Sequence, residues 1–324
     1  MIGNILVAVA AGFASALMFA SIVSGALISV LLLYLAPLPL MVAALGWGAF
    51  SAAIGGATAA TILGLAFGLH YCIAFVVAIA LPAWWLGHLT LLGRPQPGST
   101  APGDVASPLE WYPFGQILLW IVIFAAITTS TTLLAFGSDG PTIHQTMRAA
   151  LVHILEPADI ASSDRRIDAV AAIAPGAAAI AITITLTLNL WLAAKIAATS
   201  GQFCRPWPDL KSTALPPLTL AVLCVAVAFC FSGGLLAILA QIACAALMIA
   251  YAFMGFAVLH TLTIAWKNRA VWLTCSYAIV LVFSWPLLVV AALGVVDALF
   301  GLRKRYLRAR QPSLSASKIS QLEP

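Results

Sequence analysis

The candidates for functional polar groups inside the apolar stretches of this 324-residue chain are His70, His88, Asn189, Gln241, His260 and Asp297. Groups of this kind are costly in hydrocarbon, so they mark ion pairs, helix-to-helix hydrogen bonds, proton relays or substrate paths. Asp297 is the only acid in these stretches. It lies near the end of its apolar run, where the helix dipole disfavours negative charge, so it requires a cationic partner. Arg303 is the candidate, and the pair could serve either as a structural ion pair or in proton relay. Asn189 could bond a neighbouring helix or line a substrate cavity, and Gln241 is a candidate of the same sort.

Other constellations are weaker. His70 and Cys72 would point roughly 200° apart on a helix, too far to share a metal. The six cysteines include no C-x-x-C pair, and five of them lie in apolar runs, which suits small buried hydrophobes. Asp159, Asp164 and Asp168 could suggest a metal–pyrophosphate site, but Arg165 and Arg166 are interleaved with them. There is no G-x-S-x-G, no P-loop and no H-E-x-x-H. No catalytic residue, metal site or cofactor is predicted, and the chain does not read as an enzyme.

The elements that must position these residues follow from composition. Apolar residues make up 63% of the chain and charged residues 8%, against about a quarter charged in soluble domains. Such a chain must be solvated by lipid. The expected fold is all-α, a polytopic transmembrane bundle of about eight to ten segments, some short or re-entrant. A single membrane domain over 1–310 is expected, with a disordered tail over 311–324.

Within it, the uncharged stretch 1–93 has room for about four or five passes. Breaks are expected at Ser21 to Gly25, at Pro37 and Pro39, at Gly46 to Gly48 or Gly55-Gly56, and at Gly68 to His70. Residues 94–113 form a polar cytoplasmic loop, and Phe114 to Phe136 a clear pass. An external amphipathic region covers 137–174, its Ile143 to Glu156 stretch reading as a surface helix. The C-terminal helices occupy 175–302. Pro175 is expected in the first turn of one pass, and Pro216 and Pro217 open another that runs to Phe231. The final run, Val271 to Leu302, contains Pro286 and is either one kinked helix or a hairpin. Only the hairpin puts Arg94, Lys195, Arg205, Lys211, Lys267, Arg269 and the C-terminal cluster on one side, which the positive-inside rule makes cytoplasmic. Without that cluster and Lys318 the chain carries nine basic and ten acidic residues, so its basicity does not suggest nucleic acid.

Small residues recur every fourth position at Ala8, Gly12, Ala16, Ala20 and Ser24, and again from Gly48 to Gly68. Such rows allow close helix approach, either inside the bundle or against a partner subunit.

The motifs Leu35-Ala36-Pro37-Leu38-Pro39-Leu40 and Leu45-Gly46-Trp47-Gly48 resemble the YybS-like family of multi-pass bacterial membrane proteins. Glu110 to Pro113, Asn189 with Leu190 to Lys195, Arg205-Pro206 and Gly294-x-x-Asp297 with Arg303 to Arg305 are similar to that family as well. This resemblance implies a bacterial inner-membrane protein of uncharacterised function. A proline break, a short helix and a Gly-aromatic-Gly turn also resemble the S components of energy-coupling-factor transporters. That likeness implies a small-molecule binding subunit that docks on other membrane subunits. Pro37, Pro39 and Trp47 would then line or gate the cavity, and Ala8, Gly12, Ala16 and Ala20 would form the docking row. The other readings are a membrane scaffold of the cell envelope and, third, an intramembrane enzyme. The bilayer is the expected partner in all three.

Overall fold

A computed structural model describes residues 2–95, 109–155, 165–207 and 213–310. Among them, seven helices are long and apolar enough to cross a membrane, or eight if one bent pair counts as a span. Residues 1–93 hold four of these spans. The first is α1 (Ile2–Ala20) with a short 3-10 turn to Ser24, closed by Gly25 in the left-handed region. The second is broken into α2 (Leu27–Leu35) and α3 (Pro37–Trp47). Pro37 and Pro39 fall in the first turn of α3, where a missing N–H costs nothing. The break therefore interrupts the span without ending it. Gly48 and Gly68, both at positive φ, bound α4 (Ala49–Phe67). The fourth comprises α5 (Leu69–Phe75), a π turn (Val76–Ala80) and α6 (Leu81–Leu91).

Residues Gly93–Pro95 and Leu109–Trp111 pair as antiparallel strands β1 and β2, closed by an exposed Arg94–Glu110 ion pair at 2.9 Å. The fifth span is α7 (Phe114–Leu134), followed by the amphipathic α8 (Gly140–Leu155), which buries Ile143. Next comes α9 (Arg165–Thr199), and here the structure corrects an expected boundary, because Pro175 lies inside the helix. Ile167 and Ala171 are buried ahead of it, and packing of that face holds the helix through the residue that lacks a donor. At about 1.5 Å per residue α9 is longer than the hydrocarbon is thick. Its charged first turns extend beside α8, where Arg148 pairs with Asp168 at 2.7 Å.

The helix opened by Pro216 and Pro217 is shorter than expected: α10 (Leu218–Phe229) has 12 residues. Gly233 and Gly234 turn the chain into α11 (Gly234–Leu262). The final run is in two pieces, α12 (Arg269–Phe283) and α13 (Pro286–Phe300), broken at Ser284, the one non-glycine residue at positive φ among those described. Asn268 to Trp272 start α12 beside His260, and α13 returns along α11 to α14 (Leu302–Arg310), bent by 69° from α13.

Contacts between elements define two ends of the bundle. At one, Gly46 meets Gln202, Arg205 bonds the Thr90 and Tyr112 carbonyls, and Tyr306 bonds the Leu262 carbonyl. Arg94, Lys195, Lys267, Arg269 and the α14 arginines belong to this basic end. Opposite it, Gly140 packs on Gly234, and the basic residues Arg148, Arg165 and Arg166 are balanced by acids such as Asp139 and Asp168. The start of α1 lies at the basic end, since Gly12 meets Gly55 and Phe19 meets Phe75 further along. The expected tail over 311–324, together with Asp159 and Asp164, lies outside the described residues.

Candidate functional site

Two spans lose regular helix in the same neighbourhood. At the proline break between α2 and α3, side chains from other helices reach backbone carbonyls. Ser15 Oγ donates to the Ala36 carbonyl at 2.6 Å, and Asn189 Nδ2 donates to the Tyr34 carbonyl at 2.8 Å. Asn189 also donates to the Thr185 carbonyl on its own helix at 2.9 Å. Across from the break, the π turn shifts the helix register between α5 and α6. Such turns often occur at functional sites.

Between these irregular segments, α7 and α9 leave a cavity of about 900 Å3. Tyr34 and Pro37 line it from the break, Val77 to Ile79 from the π turn, and His70 from the start of α5. Hydroxyls come from Thr128, Thr131 and Thr132 on α7 and from Thr185 on α9. Most mid-helix threonines here return their hydroxyl to a carbonyl four residues back, as Thr132 does to Thr128 at 2.8 Å. Thr128 does not: its hydroxyl has no partner, although the residue is only 8% exposed. Asn189 Oδ1 is likewise without a partner, in a residue 2% exposed. Unpaired buried polar atoms cost about 1–3 kcal/mol each, so both are acceptors or donors available to something else. Among the described residues, no Asp, Glu, Lys or Arg lines this cavity. Its chemistry suits a neutral, mainly apolar molecule held by hydroxyls.

Elsewhere, Asp297 and Arg303 form an ion pair at 2.7 Å, each side chain 6% exposed. The other carboxylate oxygen accepts the Arg303 backbone N–H at 2.9 Å, which caps the start of α14. Gly301, at φ 63, turns the chain between them. The acid thus fixes the bend as well as holding the cation.

The remaining predicted residues separate from this cavity. Pro37 lines it, whereas Pro39 and Trp47 are half-buried on α3 and do not. Gln241 is half-buried on α11 and borders neither cavity described here. Ala8, Gly12 and Ala16 are buried in the bundle, and Gly12 lies directly against the Gly55 backbone of α4. Ala20, half-buried, also packs against the hydrophobic core. Asp297, Asn189 and the histidines do not converge on one site. His260 Nε2 bonds the Tyr277 hydroxyl at 2.8 Å, and His88 stacks on Trp84. No group of His, Cys, Asp and Glu among the described residues could hold a metal ion.

Sequence reasoning missed the threonines. Their signal was present as the run Thr128 to Thr132 and the alternation Thr183, Thr185, Thr187 within apolar helices. Arg205 was read as a topology marker, yet it is buried at 8% exposure.

No curated protein and no solved structure matches the chain. A family model described as a predicted membrane protein, DUF2232, matches residues 13–298. That range runs from the middle of α1 to Asp297 near the end of α13 and includes both sides of the cavity, in keeping with the YybS-like resemblance of the motifs. The chain belongs to the DUF2232 family of predicted membrane proteins.

Proposed function

We propose that this protein is a membrane-embedded binding subunit for a neutral, mainly apolar small molecule, seated in a bacterial inner membrane with its basic end and its C-terminal helix in the cytoplasm. The observation that carries this reading is the cavity of about 900 Å3 between the proline break and the π turn, with the Thr128 hydroxyl left unpaired. Broken helices around a mid-membrane site are a recurring arrangement in transporters. The S-component resemblance supports the same reading, as does the lack of nucleotide motifs, which assigns any energy input to a partner. The excess of Arg and Lys at one end supports the orientation.

The test is to purify the chain in a nonionic detergent and identify retained molecules by mass spectrometry. A neutral compound is expected at near one equivalent, depleted about tenfold by Ala181→Phe, which fills the cavity from α9. Recovery of nothing but detergent and bulk lipid would reject the reading.

A partner-binding scaffold is the second reading. It is favoured by α12, none of whose residues is buried within the chain. On that reading, polar substitutions on the exposed face of α12, such as Leu281→Ser, would release a stoichiometric membrane partner and leave retention of the compound unchanged.

A further inference from the structure

A second cavity, of about 500 Å3, shares no lining residue with the first. Its walls are apolar side chains of α7, α9 and α11, including Ile117, Leu190 and Phe253, and Arg205 lines it at the basic end. The Arg205 guanidinium donates to two neutral acceptors, the Thr90 carbonyl at 3.0 Å and the Tyr112 carbonyl at 2.8 Å. It lies 5.9 Å from the centre of the Trp111 ring. No carboxylate pairs with it among the described residues, although the residue is 8% exposed. A guanidinium has five N–H donors and a charge that two carbonyls do not neutralise. Trp207 and Trp191 both line the cavity, and Lys195, which does not line it, places its Nζ 4.4 Å from the centre of the Trp207 ring. One buried cation and two indoles on an apolar cleft, with a second cation over one of the indoles, are the chemistry of a headgroup with a chain below it.

We propose that this cleft binds one lipid with an anionic phosphate head, the phosphate on Arg205 with Lys195 beside it and the hydrocarbon between α7, α9 and α11. The site is distinct from the larger cavity, and neither reading depends on the other. Burial also pushes the Arg205 guanidinium below its ordinary pKa, a penalty that a bound anion would offset.

The test uses the full chain in nonionic detergent micelles, followed by native mass spectrometry during titration with phosphatidylglycerol, phosphatidylcholine or inorganic phosphate. One phosphatidylglycerol is expected to bind at least tenfold more tightly than phosphatidylcholine, and Arg205→Gln should remove most of that preference. Because Arg205 also ties Thr90 to Tyr112, a second variant leaves it in place: Thr187→Phe fills the cleft from α9 and should weaken phosphatidylglycerol binding about tenfold. Equal uptake of the two lipids would overturn the proposal, as would phosphatidylglycerol binding untouched by Thr187→Phe. Displacement of the lipid by equimolar inorganic phosphate would assign the site to a free anion and would overturn it equally.

Discussion

Where α11 meets α13, Gly255 faces the Val290 carbonyl and Gly294 faces the Tyr251 carbonyl, so the two backbones touch. Where α9 faces α5 and α7, residues just as small and apolar, among them Ala74, Ala78, Ala178 and Ala181, leave about 900 Å3 open. Small side chains alone therefore do not decide whether membrane helices close on one another. At the first place the small residue is glycine, it points at the facing backbone, and both helices are regular. At the second, the walls contain a proline break and a π turn, and the facing side chains leave the space between them open. Polar groups follow the same division. Asp297 and Arg303 satisfy each other beside the closed seam, while Thr128 and Asn189 keep unpaired atoms near the open one.

Substitutions can break or sharpen this contrast. Asp297→Ala has the largest expected effect, because it removes both the buried carboxylate that pairs with Arg303 and the cap of α14. A loss of about 3–5 kcal/mol is expected, read as a lower unfolding temperature in detergent. Asp297→Asn keeps an acceptor for the Arg303 N–H and should fall between the two. An Asp297→Ala protein that melts with its parent would mean that the pair is already solvated. Gly294→Val comes next: its side chain would meet the Tyr251 carbonyl, and wedging the seam should cost about 1–3 kcal/mol. Asn189→Ala frees the Tyr34 carbonyl at the proline break and should cost about 1 kcal/mol; loss of the helical signal around α2, followed by amide exchange, would locate the damage. Smallest of all is Thr128→Val. On the open side an unpaired hydroxyl supports nothing, so unfolding should be unchanged or slightly later, while retention of the bound compound falls. A clear loss of stability from Thr128→Val would show that the hydroxyl has a partner and that the two regions are less different than described.

Much of the architecture is legible in the sequence because it depends on local chemistry. Pro37, Gly48 and Gly68 punctuate the first spans where their backbone preferences require, and Pro286 with the distribution of Arg and Lys selects the two-piece final run. Asp297 could be assigned a partner because a lone acid near a helix end has few ways to be satisfied. What escaped depends on distant packing. Pro175 reads as a helix start, yet the burial of Ile167 and Ala171 carries α9 through it. The row from Ala8 to Ala20 is equally compatible with a facing helix of the same chain or another, and only the meeting of Gly12 with Gly55 shows α4 in that place. Threonines in apolar helices usually bond their own backbone, so nothing in the sequence sets Thr128 apart from Thr129, whose hydroxyl reaches the Ala125 carbonyl at 2.8 Å.

The separation of Asp297 from Arg303 also has a bearing on biogenesis. Only six positions part the acid from its cation, so the two leave the ribosome almost together and the final span meets the membrane with its charge already compensated. Because Gly301 lets the pair close within one bend of the chain, α13 needs no other helix to neutralise its acid before it packs on α11.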